Sequence, residues 1–147
     1  MTNQAQLDLL KQESATLWNS WREKHPDTAI ELSRVDLSEA NLGEVNLAGA
    51  DLSQANLREA DLNNANLCKA RLVGADLSGA NLAGADLSDA DLREANLHKA
   101  YLTSANLAGA NLRGAILFDA QLNWAMLEGS LITPEQLRQA KMESDHL

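Results

Sequence analysis

A leucine recurs at every fifth position from Leu32 to Leu127 without a break. On an α-helix a five-residue step advances about 140°, so these leucines would cover every face instead of forming one stripe. On a β-strand an odd step would send successive leucines to opposite sides of the sheet. The chain must therefore turn a corner once per repeat. If it always turns in the same direction, every leucine can point to one central axis.

The glycines indicate where the corners lie. Seven of the eight glycines occupy the second position after a leucine, and the eighth, Gly43, occupies the first. Glycine is favoured where the backbone needs a positive φ, so the corners are expected at these two positions. Alanine fills the position two residues before almost every leucine. This second inward position accepts mainly a methyl group, which predicts a narrow and crowded interior.

The repeat Ala-Asp/Asn-Leu-x-x, as in residues 50–57, resembles that of the pentapeptide-repeat proteins. The resemblance covers about two thirds of the chain. It implies an all-β solenoid, a right-handed quadrilateral parallel β-helix with one repeat on each side and four in each coil. Twenty repeats would then form about five coils, and the ~4.8 Å spacing of strands gives a rod about 24 Å long.

Residues 1–29 are expected to form an N-terminal helical cap. An amphipathic helix is predicted from about Gln4 to Lys24, with an apolar stripe made of Leu7, Leu10, Leu17, Trp18 and Trp21. Ends of solenoids need covering because they expose backbone edges and core side chains. A partner-binding helix is the alternative reading of the two tryptophans. The lead Trp18-x-x-Trp21-Arg22 also resembles the N-terminal segment of cyanobacterial pentapeptide-repeat proteins.

The repeats are expected to span residues 30–132, and residues 133–147 to form a short C-terminal helix and tail. Thr133, Pro134 and Gln136 form a helix-start pattern, which predicts a helix from Pro134 to about Met142. Near the last coil, outward positions carry the apolar residues Ile116, Phe118, Trp124, Met126 and Leu131. The C-terminal helix is expected to cover this patch, or two copies dimerise there, and both readings stay open.

Composition argues against several classes of function. The net charge of −9 and pI near 4.7 disfavour direct binding of nucleic acid, which needs a basic surface. Neither a secretory leader nor an apolar run long enough to cross a membrane is evident, so a cytoplasmic location is expected. Cys68 is the only cysteine, and the three histidines are far apart in sequence. No catalytic, cofactor or metal motif is found, so an enzyme is the least expected class.

The outward residues point instead to protein binding. If residues twenty apart stack, one face carries Asn81, Tyr101, Gln121 and Trp124, with many amides and few charges. Exposed aromatic side chains on such a surface are typical of protein contacts. The leading hypothesis is a non-enzymatic interaction or scaffold protein with an unknown protein partner, either a monomer or a homodimer through an end of the rod. Amide ladders that merely stabilise the coils are the alternative.

DNA mimicry is the runner-up function. Some pentapeptide-repeat proteins resemble duplex DNA and bind DNA gyrase, which confers quinolone resistance. A duplex carries one charge per ~1.7 Å, so a 24 Å rod would need roughly fourteen negative charges. Residues 36–131 carry thirteen acids and six bases, a net of −7. Those relatives also tend to place Phe at the central position and to project loops, whereas this chain uses leucine throughout and has no insertion.

Overall fold

The computed structural model describes residues 3–142, which contain the helices α1 (Asn3–Leu10), α2 (Ala15–Lys24) and α3 (Pro134–Gln139). Between α2 and α3 the chain forms only isolated parallel β-bridges joined by two-residue turns. Each bridge involves the residue immediately before a leucine position. A single bridging residue per side is too short for a continuous strand, so the repeat region consists of bridges and corners.

The bridges pair residues that lie twenty positions apart, from Glu31 with Asp51 to Gln121 with Lys141. Because a repeat has five residues, a twenty-residue offset gives four sides to each coil. Adjacent coils are joined by backbone hydrogen bonds near each leucine. Leu77 N–H, for example, donates to Asn96 O at 2.8 Å, and Asn96 N–H donates to Ala75 O at 2.9 Å.

The interior contains the leucines and the small residues that precede them. Every leucine of the ladder from Leu32 to Leu122 is buried to 1% exposure or less, while Leu127 at the C-terminal end is partly exposed. Full burial of a leucine side chain stabilises a fold by about 1.5–3 kcal/mol. The alanines two positions before these leucines, from Ala50 to Ala120, are buried beside them. The inward positions expected from the sequence are therefore the ones that form the core.

The corners lie at the positions that the glycines predicted. The second residue after each leucine has a positive φ in all twenty repeats, seven times as glycine and thirteen times as another residue. The residue after it donates its N–H back to the leucine carbonyl, as Ala80 does to Leu77 at 3.0 Å. A positive φ at the third of four residues defines a type II turn. Gly43 lies at the first corner position and does not have a positive φ.

Side chains of the residue before each leucine complete these turns. In all fourteen repeats that carry Asp or Asn there, its Oδ1 accepts the N–H of the residue two positions on, at 2.9–3.4 Å. Such Asx turns satisfy a backbone donor at the corner. Net contributions of about 0.5–1.5 kcal/mol are typical of one hydrogen bond. These polar residues therefore build the turns in addition to facing solvent.

The prediction of a single helix from Gln4 to Lys24 is wrong, because the helical conformation is interrupted between α1 and α2. Glu13 adopts a left-handed φ of 57°, and Ser14 caps α2 by accepting the N–H of Leu17 at 3.2 Å. The break turns α2 so that Trp18 is buried while Leu17 stays 50% exposed. Leu17 therefore does not belong to the buried apolar stripe in which the sequence placed it.

Both N-terminal helices contact the first coil through polar side chains. Gln6 Nε2 donates to Ala29 O at 2.8 Å, and the indole N–H of Trp18 donates to Asn46 O at 2.8 Å. Arg22 donates to Ala48 O at 3.0 Å. These bonds satisfy backbone carbonyls at the N-terminal end of the solenoid, where no preceding coil is present to do so.

The C-terminal helix begins as predicted but is shorter. Thr133 and Gln136 form a capping box, with Pro134 in the first turn. The helix ends at Gln139 and not near Met142, because Lys141 already pairs with Gln121. Buried Gln136 donates from Nε2 to Leu112 O at 2.7 Å and to Ala115 O at 3.0 Å. The predicted tail beyond Met142 lies outside the described residues.

The turns make stability depend on pH in a predictable direction. Hydrogen bonds from Ser38 hold the pKa of Asp36 below its usual value, the adjacent Ser53 lowers the pKa of Asp51, and hydrogen bonds from Arg93 lower the pKa of Asp91. A carboxyl with a depressed folded pKa stabilises the fold above its unfolded pKa of about 3.9. That stabilisation is lost as the pH falls through the folded pKa.

We therefore expect the thermal midpoint, followed by circular dichroism, to fall as the pH is lowered from neutrality to below 4. The triple variant D36N/D51N/D91N keeps the turn acceptors, as Asn46 does in its own turn at 3.1 Å, but has no charge to titrate. Its midpoint should depend less steeply on pH than that of the wild type. Equal slopes for the two proteins would contradict this account.

Candidate protein-interaction surface

The repeat departs from its usual polar residue at a small set of positions. Six of the twenty residues that precede a ladder leucine are neither Asp nor Asn, namely Glu31, Arg71, Tyr101, Ile116, Gln121 and Met126. None of the six makes the Asx bond that the other fourteen make. Four of them lie between residues 101 and 126, in the last part of the solenoid. The departures are therefore concentrated toward the C-terminal end.

The exposed apolar side chains are also concentrated toward the C-terminal end of the solenoid. Among residues 3–142, seven large apolar side chains are exposed, and six of them lie between residues 101 and 131. These six are Tyr101, Ile116, Phe118, Trp124, Met126 and Leu131. Contiguous apolar surface on a small protein usually marks an interaction site. The first three coils, in contrast, expose no large apolar side chain of the repeat region.

Three of the four residues proposed from the sequence form one column. Parallel bridges link Asn81 to Tyr101 and Tyr101 to Gln121, so these side chains are stacked on one side of the rod. Trp124 lies at the corner that follows Gln121 on the same coil. The column also contains Asp61 and Lys141, which makes it more charged than the sequence-based description. Asn81 Nδ2 lies 3.5 Å from Asp61 Oδ1.

Trp124 has an unusual backbone for a bulky residue. Its φ is +64°, and its side chain is 68% exposed, the largest value among the exposed apolar residues. Positive φ is unfavourable for large L-residues and costs of the order of 1–3 kcal/mol. Seven repeats place glycine at this corner, where the conformation is unstrained. Tryptophan is therefore a less favourable residue than glycine at this corner.

The residues predicted to cap the rod or to form a dimer contact lie at two separate locations. Trp18 of α2 is fully buried, and its ring lies 5.4 Å from that of Trp21, which stacks on His25 at 5.0 Å. Ile116, Phe118 and Met126 are 44–52% exposed near the other end. Leu137 and Ala140 of the C-terminal segment pack against the core and leave these three side chains uncovered. Whether this exposed group binds a second copy stays a prediction.

A different side of the rod carries Asp51, Arg71 and Asp91, which are stacked by parallel bridges. Asp91 pairs most closely with Arg93, at 2.7 Å, and this contact is the main cause of its lowered pKa. Arg71 makes a smaller contribution to the lowered pKa of both aspartates. Arg71 is therefore stacked between the two aspartates, while the close ion pair on this side is the one between Arg93 and Asp91.

The described residues offer little for catalysis. Between residues 3 and 142 no group of three or more His, Cys, Asp or Glu side chains is placed to hold a metal ion. Cys68 is partly exposed and accepts a hydrogen bond from Ser88 Oγ at 3.4 Å. A cavity of about 550 Å³ lies at the C-terminal end, lined by Leu127, Leu137, Arg138, Ala140 and Met142. That lining is almost entirely apolar.

None of the helices in the described part is long and apolar enough to span a membrane.

Comparison with known proteins identifies the family. The model of pentapeptide repeats matches eight copies, over residues 30–68, 60–98, 70–107 and 95–133. The chain belongs to the pentapeptide-repeat family. The fold of this family is the right-handed quadrilateral β-helix, in agreement with the four-sided coils. No curated protein matches the chain.

Solved structures of other pentapeptide-repeat proteins are similar to this one. A protein of the Arabidopsis thaliana thylakoid lumen is 30% identical, with a TM-score of 0.66, over 77% of this chain and 75% of that one. The protein Rfr23 of the cyanobacterium Cyanothece 51142 is 30% identical, with a TM-score of 0.61, over 85% of this chain and 97% of that one. The fluoroquinolone resistance protein QnrB1 is 17% identical with a TM-score of 0.35 over 78% of each chain, too distant to bear on function.

Sequence reasoning missed the role of the Asp and Asn residues. The sequence contained the information needed to predict it. An Asp or Asn side chain commonly accepts the N–H of the residue two positions further along, and here that residue lies at a corner. The residues that lack this bond are then the informative ones. Tyr101 and Gln121 can be selected in this way from the sequence alone, whereas the exposure of Trp124 and Phe118 needs the structure.

A reciprocal pair of substitutions in one column tests this interpretation. Asn81 Oδ1 accepts the N–H of Ala83 at 3.1 Å, whereas the side chain of Gln121 is one methylene longer than the Asp or Asn that this turn favours. We expect N81Q to lower the free energy of unfolding by about 0.5–1.5 kcal/mol and Q121N to raise it by a similar amount. Urea denaturation followed by circular dichroism measures both. Changes of the same sign in the two variants would show that the Asx bond does not decide stability here.

Proposed function

We propose that this pentapeptide-repeat protein is a non-catalytic interaction module that binds another protein through the side carrying Asn81, Tyr101, Gln121 and Trp124. The observation that carries the proposal is the exposure of Tyr101 and Trp124, 46% and 68%, at positions where most repeats use Asp or Asn and where many use glycine. Neither aromatic residue improves its turn. Binding gives both a reason to be present.

The side chains on this surface suit a protein contact. Tyrosine and tryptophan provide large contact areas with few rotatable bonds, and they are enriched among residues that dominate binding energy. Amides from Asn81 and Gln121 offer hydrogen bonds around them, and Asp61 and Lys141 lie farther along the column. The rigid ladder of backbone bonds fixes the spacing of all these groups, so little ordering is required when a partner binds.

The proposal also assigns a role to each segment of the chain. Residues 30–132 form a rod of about five coils that presents the binding surface. In the segments 1–29 and 133–147, the helices α1, α2 and α3 act as caps. Bonds from Gln6, Trp18 and Gln136 to carbonyls of the terminal coils support this role, because caps must satisfy the groups that another coil would bond. The cytoplasmic location stays a prediction.

DNA mimicry remains the alternative, and the geometry does not favour it. Aspartates such as Asp51, Asp76 and Asp86 bind their own turns, so their positions follow the needs of the corners and not the spacing of phosphates. The core contains leucine at every central position of the repeats from Leu32 to Leu122. We expect no inhibition in a DNA gyrase supercoiling assay at high protein concentration. Inhibition there would support the alternative.

Two substitutions that restore the usual repeat residues test the binding surface without endangering the fold. In Y101N/W124G, asparagine supplies the missing turn acceptor and glycine suits the positive φ. We expect proteins retained from a native lysate of the source organism by the tagged wild type to be lost with this variant. Mass spectrometry of the retained proteins provides the measurement.

The matched control is R71N, which also restores a repeat residue but on a different side of the rod. It should retain the same proteins as the wild type. Circular dichroism should show both variants folded, with thermal midpoints no lower than that of the wild type. If Y101N/W124G retains the same proteins as R71N, the proposed surface is wrong.

A further inference from the structure

We propose that one side of the rod binds a short basic segment of another protein, whose apolar side chains cover Ile116 and Phe118. We name this surface the Ile116 side. It consists of five stretches of chain that stack twenty residues apart, namely 36–39, 56–59, 76–79, 96–99 and 116–119. The Tyr101 column lies on the next side of the rod, so this inference does not rest on the function proposed above.

Two apolar side chains at the C-terminal end of the Ile116 side are exposed and held in place. Ile116 and Phe118 flank the buried Leu117 and are 44% and 52% exposed. Their carbonyls accept hydrogen bonds from the preceding coil, from Leu97 N–H at 2.8 Å and from Lys99 N–H at 3.0 Å. Little ordering of the chain is therefore required when a partner covers this pair.

The C-terminal helix lies beside the apolar pair and leaves it uncovered. Gln136 Nε2 donates to Ala115 O at 3.0 Å, and Asp119 N–H donates to Gln139 O at 3.0 Å. Both bonds use backbone groups at the edge of the coil. The pair stays exposed with α3 in place. The covering that the sequence suggested for it is thus not supplied by the described part of the chain.

The charge of the Ile116 side selects a basic partner. This side has five acids and two bases, a net of −3, whereas the side that carries Arg71 has four of each over the same five coils. Four of the five acids lie on its first three coils together with one base, Arg58; these acids are Asp36, Glu39, Glu59 and Asp76. A second copy of this acidic chain would be repelled there, and so would a nucleic acid. Lysine and arginine side chains would be attracted.

A cleft at the N-terminal end of this side can receive such a cation. It has a volume of about 260 Å³ and lies between the first coil and the link from α1 to α2. Its lining contains three acids, Glu13, Asp36 and Glu39, and one base, Lys11. A second cleft, of about 340 Å³, opens over Gly79 in the middle of the side. That cleft is balanced in charge, so it offers space for the partner and not a site for its cations.

The distance between the acidic cleft and the apolar pair sets the length of the segment. Asp36 and Ile116 belong to one column and are four bridges apart. At ~4.8 Å for each coil, the two ends are about 19 Å apart. A helix spans this distance with about 13 residues, and an extended chain with about six. The partner is therefore a short segment with lysine or arginine at one end and large apolar residues at the other.

Fluorescence anisotropy of a labelled peptide mixed with the full chain tests the proposal. The peptide has about 14 residues, long enough to reach both ends as a helix, with lysines in one half and leucine and phenylalanine in the other. We expect the wild type to bind it, and added salt to weaken binding by screening the charges. Peptides with glutamate in place of lysine, or serine in place of the apolar residues, should bind about tenfold more weakly or less.

Matched variants of the protein locate the charged part of the site. D36N/D76N removes two charges from the Ile116 side, and D51N/D86N removes two charges from other sides. All four aspartates occur in the sequence Asp-Leu-Ser and accept the serine N–H at 2.9–3.0 Å, as asparagine also can. We expect D36N/D76N to weaken binding of the lysine peptide about fivefold, and D51N/D86N about twofold at most.

The variant I116N/F118S tests the apolar part of the site. Asn96 and Ser78 occupy the equivalent positions on this side, so the variant is expected to fold, which circular dichroism checks. It should bind the peptide about tenfold more weakly, because the apolar contact is lost. Y101N/W124G should bind the peptide as the wild type does. If I116N/F118S does not fold, the two aspartate variants decide the outcome.

Three results would overturn the proposal. The first is a wild type that does not bind the lysine peptide, and the second is equal weakening by the two aspartate variants. The third is a folded I116N/F118S that binds like the wild type, as it would for a purely electrostatic partner. Loss of binding in Y101N/W124G would also overturn it, by placing the peptide on the other side. These outcomes are independent of the lysate experiment, which leaves the Ile116 side unchanged.

Discussion

The backbone hydrogen bonds between coils, with their fixed twenty-residue offset, are the interaction on which the rest of the structure depends. From Leu32 to Leu112 each ladder leucine N–H donates to a carbonyl nineteen residues on, as Leu82 does to Tyr101 at 2.7 Å. This register aligns the leucines in the core and the corners at the edges. A shift by one residue would place a polar side chain inside, where an unpaired group costs several kcal/mol. The leucine and alanine positions can therefore hardly vary, and differences between such proteins must lie on the outer surface.

The choice of residue at the outward positions is more constrained than their exposure to solvent suggests. The Asx bond assigns a structural role to Asp and Asn before the leucine, and the positive φ favours glycine at the second corner residue. A side chain that meets neither requirement lowers stability slightly, and one such as Trp124 adds exposed apolar surface as well. Natural proteins retain such residues mainly where function needs them. The turns explain the acidic composition only in part, since Asn serves them equally well at Asn66 and Asn96.

The period of the leucines was sufficient to predict the core and the corners, because a five-residue step leaves few geometries open. The column of Asn81, Tyr101 and Gln121 also followed, once four repeats per coil were assumed from the family resemblance. The helix break was not predictable in the same way, because Glu13 adopts a left-handed conformation that no glycine or proline signals. The burial of Trp18 without Leu17 depends on how α2 meets the first coil. Such contacts between elements are set by tertiary geometry, and a local pattern contains no information about them.

The two ends of the solenoid differ in how they are held, and this difference explains where the outward surface departs from the repeat. At the N-terminal end, side chains of Gln6, Trp18, Asn19 and Arg22 bond carbonyls of the first coils, so α1 and α2 occupy the space above them. At the C-terminal end one buried side chain, Gln136, makes the corresponding bonds to Leu112 and Ala115. A coil near an end has fewer neighbours to disturb, so large outward residues cost less there than between two complete coils. The exposed apolar residues from Ile116 to Leu131 lie where the ladder can accommodate them at the smallest loss of stability, whereas Tyr101 lies between two coils and does not have this advantage.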